Sequence, residues 1–173
     1  YMPNNVVVAV AGNLEHREIV ALSEELFGTL KKESEIEVPK KAEFNSGYRL
    51  YKRETEQVHI CLSTKGRKYG TEESYAFYIF NNIFGGSVSS RLFQSIREEK
   101  GLAYSVCSSQ SSYKDCGLFS VYLATRAENV EKVISLLKQN VNEIKNSGIT
   151  ERELKRAKEH IKSSFLLGLE SSG

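Results

Sequence analysis

Two side chains seven positions apart, Arg97 and Tyr104, are the residues here best suited to act on a peptide group. They lie in the run S-R-L-F-Q-S-I-R-E-E-K-G-L-A-Y-S-V, from Ser90 to Val106. Arg97 falls in the last turn of a short expected helix, and Tyr104 near the start of the strand after it. The reversal at Lys100-Gly101 can bring a guanidinium and a phenol to one surface. Two such donors could hold a peptide carbonyl and stabilise the oxyanion it becomes. The same spacing also admits a plainer reading, in which Arg97 complements the helix dipole and Tyr104 packs on a neighbour.

Other chemistry finds little support. The histidines are His16, His59 and His160, and none stands beside another His or a Cys at ligand spacing. H-E-x-x-H and H-x-x-E-H, which set two imidazoles and a glutamate on one helical face, are absent. His16 and His160 belong on charged helix faces, and His59 on the polar side of a strand, so no metal site is expected within the chain. Gly85-Gly86-Ser87-Val88-Ser89-Ser90 lacks the lysine of a phosphate loop and reads as a glycine helix stop followed by a serine cap. There is no G-x-S-x-G elbow.

The elements that position the pair follow from periodicity. Val6 to Ala11 is a continuous apolar run that predicts a strand buried on both faces. A helix comes next, with Ile19, Leu22, Ser23, Leu26 and Phe27 on one stripe and Gly28 to end it. Lys31 to Gly47 is densely charged, is broken by Pro39 and predicts a linker. Val58, Ile60 and Leu62 alternate with polar residues, which predicts a half-buried strand. Thr71 is placed to cap a helix burying Tyr75, Ile79, Phe80 and Ile83 and ending at Gly85-Gly86. Ser89 or Ser90 caps the short helix to about Lys100. Strands from Leu102 to Ser112 and from Leu118 to Thr125 form a hairpin. Thr125-Arg126-Ala127-Glu128 and Thr150-Glu151-Arg152-Glu153 both have the capping-box pattern. The helix after the first carries Val130, Val133, Ile134, Leu137, Val141 and Ile144, and ends at Gly148. The helix after the second carries Leu154, Ala157, Ile161, Phe165 and Leu169. Its last stretch, apolar around most of its circumference, expects neighbours beyond this chain. Strands and helices do not alternate one for one, so the class is α+β.

Composition sets outer bounds. With 173 residues, 40% hydrophobic and 27% charged, the chain can bury a core. A net charge of +2 with no basic run argues against nucleic acid as a partner. No apolar stretch reaches the roughly 20 residues that span a bilayer. The cysteines, Cys61, Cys107 and Cys116, are an odd count without C-x-x-C spacing, which fits a reducing, cytoplasmic compartment.

The run from Ser89 to Val106 resembles the characteristic segment in the second half of pitrilysin/insulinase-type zinc metallopeptidases, closest to the mitochondrial processing peptidase branch and its bacterial relatives. Asn81 to Gly86, Tyr1 to Asn5 with the strand and helix after them, and Gly148 to Leu154 with Ala157-Lys158 also match. The resemblance implies an α+β domain of β-α-β-β-α-α order, preceded by a β-α remnant of a homologous first domain. Residues 1–30 would be that remnant, 31–52 a linker, and 53–173 a second, non-zinc domain cut short at its C-terminus. In such enzymes two domains face one another across a chamber. The first holds zinc through H-x-x-E-H and a distant glutamate, and a zinc-bound water attacks the scissile carbonyl of a peptide or unfolded polypeptide. The second contributes an arginine and a tyrosine, seven residues apart, to the substrate backbone. Arg97 and Tyr104 match these two, as substrate-binding residues. The chain itself has no zinc motif, so the resemblance implies no catalytic residue within it. It is therefore expected to be inactive alone and to work with a first domain or a partner subunit that carries the zinc. The alternative is a non-catalytic chamber or binding subunit of a heteromeric peptidase; an unrelated α+β binding module is a third reading. Its first strand, without a sheet of its own, could also pair with a second copy of the chain.

Overall fold

A computed structural model describes residues 3–30 and 40–170. The chain divides into two units, Tyr1–Lys40 and Lys41–Gly173. In the first, a single 3-10 turn at Pro3–Asn5 precedes helix α1, His16–Phe27. The predicted strand at Val6 to Ala11 does not form: the segment is unpaired among the described residues and exposed, with Val7 at 91%. A strand exists only through ladder hydrogen bonds to a neighbour, and none of the described residues supplies one. For the same reason α1 buries none of its residues. Val8, Val10, Leu14, Ile19, Val20 and Phe27 instead line an open concavity of about 590 Å³. Much of the expected linker lies outside the described residues; residues 40–52 are exposed and form neither helix nor strand.

The second unit has the order expected, β-α-β-β-α-α, and the α+β class. Strands β1 (Val58–Lys65), β2 (Ala103–Ser112) and β3 (Gly117–Thr125) form one antiparallel sheet in the order β1-β3-β2. Helix α2 (Glu72–Phe84), a π-helical turn (Phe93–Glu98), α3 (Val130–Ser147) and α4 (Glu151–Leu169) complete it. The core joins Val106, Phe119, Val121 and Leu123 of the sheet to Phe84, Leu92, Ile96, Val133 and Leu137 from the helical segments. Phe77, Phe80, Phe84 and Phe119 stack and tilt against one another at centroid distances of 5.3 to 6.1 Å.

Several local expectations need correction. The helical segments pack mainly on β2, so in β1 only Ile60 is half-buried, while Val58 and Leu62 are exposed. Helix α2 departs from its predicted face at one residue: Ile83 is buried and Ile79 and Phe80 are half-buried as expected, but Tyr75 points to solvent, and Phe77 and Phe84 also turn inward. Thr71 sits at the α2 N-cap but donates to the Lys68 carbonyl rather than accepting from the helix. The Ser90 hydroxyl is buried without a partner and caps nothing. The first capping box does not form, because Thr125 is the last residue of β3 and its hydroxyl donates to the Leu102 carbonyl. Asn129 occupies the α3 N-cap instead, and Asn140 rather than Val141 is buried on that helix. The second box does form: the Thr150 hydroxyl accepts from the Glu153 amide, and the Glu153 carboxylate accepts from the Thr150 amide. Phe165, Leu166, Leu167 and Leu169 are exposed. No described helix is long and apolar enough to cross a membrane.

Candidate functional site

Arg97 is placed by an irregular helix end. The segment begins at Arg91 as an α-turn and widens at Phe93–Glu98, where the Glu99 amide donates to the Gln94 carbonyl five residues back at 2.9 Å. Leu92 and Ile96 are fully buried beneath it, which fixes the rotation of the turn and leaves Arg97 outside. The Arg97 guanidinium lies over the Phe93 ring, 4.8 Å from its centroid, and 6.0 Å from the Tyr104 centroid. Its one carboxylate neighbour among the described residues, Glu98, is at 3.9 Å. The chain then reverses through Gly101, at φ +59°, as the Gly101 amide donates to the Arg97 carbonyl and the Leu102 amide to the Ile96 carbonyl.

Tyr104 is placed by a β-bulge. In the β2–β3 ladder Ala103 faces Thr125 and Ser105 faces Ala124, so Tyr104 has no partner across the strand. Ala103 turns inward, and Tyr104 stands out at 74% exposure. The guanidinium and the phenol therefore share one surface and line one concavity of about 430 Å³.

That concavity holds residues that sequence reasoning missed: Gln57, Arg126 and Asn129. The register explains their presence. Val58 and Ala103 both pair with Thr125, so the residues just outside the ladder converge at one end of the sheet. Counting back along the hairpin from its turn brings residue 126 opposite this end of β2, but Arg126 had been absorbed into a capping pattern.

The segment that carries Arg97 is tied to α4 by Arg91. Its Nε donates to Glu153 Oε1 at 2.6 Å and its Nη2 to Glu153 Oε2 at 2.9 Å, with a further bond from Nη2 to the Gly148 carbonyl at 3.0 Å. The Arg91 bond, helped by the Thr150 amide and hydroxyl, holds the Glu153 carboxyl down at about 2 from an ordinary 4.5. The same bond raises Arg91. Arg156 also donates to the Ser89 carbonyl at 2.7 Å, so α4 grips the start of the Arg97 segment twice.

Neither His59 nor His160 lines this concavity. His59 Nδ1 bonds the Tyr122 hydroxyl at 2.7 Å across β1 and β3, and His160 Nδ1 bonds the Asn82 amide at 2.9 Å. Among the described residues no group of three or more His, Cys, Asp or Glu could hold a metal ion, so this donor set does not fit zinc. What the site offers is donor-bearing residues: two arginines, a tyrosine, a glutamine and an asparagine line one hollow, a set suited to oxygen atoms that carry or develop negative charge.

A family model described as the peptidase M16 inactive domain matches residues 1–161. A protein of Bacillus subtilis named as an uncharacterized zinc protease, YmxG, is 41% identical over 172 residues, covering 99% of this chain and 42% of that protein. A Streptomyces coelicolor protein, also named as an uncharacterized zinc protease, is 36% identical over 181 aligned positions, covering 100% of this chain and 39% of that one. The chain thus spans about two fifths of the length of the curated relatives it matches. Among solved structures, a conserved protein of Enterococcus faecalis superposes with a TM-score of 0.74 at 26% identity, over 94% of this chain and 38% of that chain. A peptidase M16 inactive domain from Pseudomonas fluorescens gives a TM-score of 0.66 at 26% identity, over 88% of this chain and 38% of that chain.

Proposed function

We propose a function from one premise: the chain belongs to the peptidase M16 family, as its inactive domain. In this reading it is the substrate-gripping half of a zinc-dependent endopeptidase. It completes a proteolytic chamber whose zinc ligands lie in another domain or in a partner subunit. Residues 1–30 close that preceding domain, 31–52 link, and 53–173 form the second domain. The names of its relatives support zinc for the parent protein, and the donor set of this chain supports a zinc site elsewhere. Three unpaired thiols suit a reducing compartment, and we assign the parent to the cytoplasm.

The observation that carries the reading is the shared concavity of Arg97 and Tyr104. The Arg97 fork and the Tyr104 O–H donate to a carbonyl oxygen of an extended peptide. Both bonds strengthen as that oxygen gains charge, which makes them worth more in the transition state than in the ground state. Phe93 keeps the guanidinium in place without neutralising it.

The test is made in the full-length protein with Arg97→Lys and Tyr104→Phe. The first keeps the charge and loses the fork; the second removes only the hydroxyl. Each should lower kcat by on the order of 10²–10³ with a smaller change in KM. Wild-type turnover from either variant would strip that residue of its role.

A further inference from the structure

We propose that the concavity beside Arg97 and Tyr104 also receives a carboxylate of the bound peptide, and that Arg126 is the residue that reads it. The proposal rests on the reading above, in which the peptide backbone lies against Arg97 and Tyr104. A neutral peptide carbonyl needs no more than the first guanidinium and the phenol, yet the hollow is also lined by Arg126, Gln57 and Asn129. No carboxylate is among its described lining residues. The acids nearest the two arginines are Glu98 and Glu128, each 3.9 Å from its partner and with side chains 53% and 72% exposed. Pairs that long and that wet are weak, and they leave the hollow electropositive.

The backbone beneath Arg126 is fixed. Thr125 is buried and bonded to the Leu102 carbonyl, so Arg126 leaves the sheet at a set point while its side chain, 79% exposed, can reach an incoming group. A planar guanidinium pairs with a carboxylate through two parallel N–H bonds, a match that an amide or an ammonium group on the peptide cannot make. The carboxylate could come from an Asp or Glu side chain near the gripped carbonyl, or from the peptide's own C-terminus.

Fluorescent peptides of one sequence, binding to the full-length protein and read by anisotropy, separate these sources. One series exchanges Glu for Gln at successive positions, and a second compares a free with an amidated C-terminus. One exchange should weaken binding to the wild type about fivefold to tenfold, the range of a charge-assisted contact that is partly solvated. In Arg126→Gln that ratio should fall to near one, Arg126→Lys should keep part of it, and Arg126→Glu should favour a Lys peptide. A loss in the side-chain series assigns an acidic residue, and a loss on amidation assigns the C-terminus. A wild-type ratio near one throughout, or an Arg126→Gln ratio equal to the wild type's, overturns the proposal. Turnover by Arg97→Lys and Tyr104→Phe reports separately on the backbone grip, so either reading can fail while the other stands.

Discussion

Protonating Glu153 removes the acceptor that ties α4 to Arg91, and its cost can be worked from the geometry. The carboxylate takes two bonds from Arg91 and two from Thr150, and its side chain is only 16% exposed, with that of Arg91 at 19%. These bonds lower its pKa in the folded chain from 4.5 to about 2. The sign follows directly. A carboxyl with a depressed folded pKa contributes stability that is complete above the unfolded value and is lost as pH falls through the folded one. The window is therefore pH 4.5 down to 2. At 1.36 kcal/mol per pH unit the contribution is about 3 kcal/mol, of the size that loss of one partner from a half-buried ion pair produces. Urea unfolding of the wild type and Glu153→Gln at pH 7, 4.5, 3 and 2 isolates it, because other titrating acids cancel in the difference. We expect the wild type to be about 3 kcal/mol more stable at pH 7 and the two proteins to converge by pH 2. A difference that stays constant across the window would refute the assignment of this shift to the Arg91–Glu153 pair.

Two further outcomes concern glycines. Gly101→Ala should cost about 1 kcal/mol in urea unfolding, since its φ is +59° while nothing lies within 4 Å of an added Cβ. Because this reversal sets Arg97 against Tyr104, turnover of the full-length protein should fall as well. Gly85→Ala should cost more than about 2 kcal/mol, because its Cβ would sit 2.7 to 2.9 Å from the Oγ, N and Cβ of Ser108. Adding Ser108→Gly should recover only part of that, since the clash with the backbone nitrogen remains.

Local pattern made much of the second unit legible. The hairpin, the order of its helices, the Gly148 stop and the Thr150 capping box are written in short-range signals, and each is present. The misreadings share a cause, which is that burial is settled by neighbours distant in sequence. Val6 to Ala11 has the composition of a buried strand, but a strand needs a partner and the described chain offers none. Val58 and Leu62 alternate as a half-buried strand should, yet the helical segments cover mainly β2 and leave them exposed. Thr125 has the chemistry of a cap, and the ladder claims it first.

The candidate site depends on two departures from regular geometry, and neither is visible in periodicity. Along β2 the inward residues are Val106 and Ser108, so strict alternation would carry Tyr104 into the core and Ala103 out of it. The bulge adds one unpaired residue, reverses that parity, buries Ala103 and releases the phenol. On the helical side, the π-turn adds one residue between hydrogen-bonded partners while Leu92 and Ile96 stay buried, and Arg97 emerges stacked on Phe93. Each irregularity gives up regular hydrogen bonding, and both are held by contacts outside their own segment: Thr125 to Leu102 at the bulge, and Glu153 to Arg91 at the turn. The residues that fix the Arg97–Tyr104 pair thus lie on β3 and α4, which is why the motif alone could name the two side chains but not the parts that aim them.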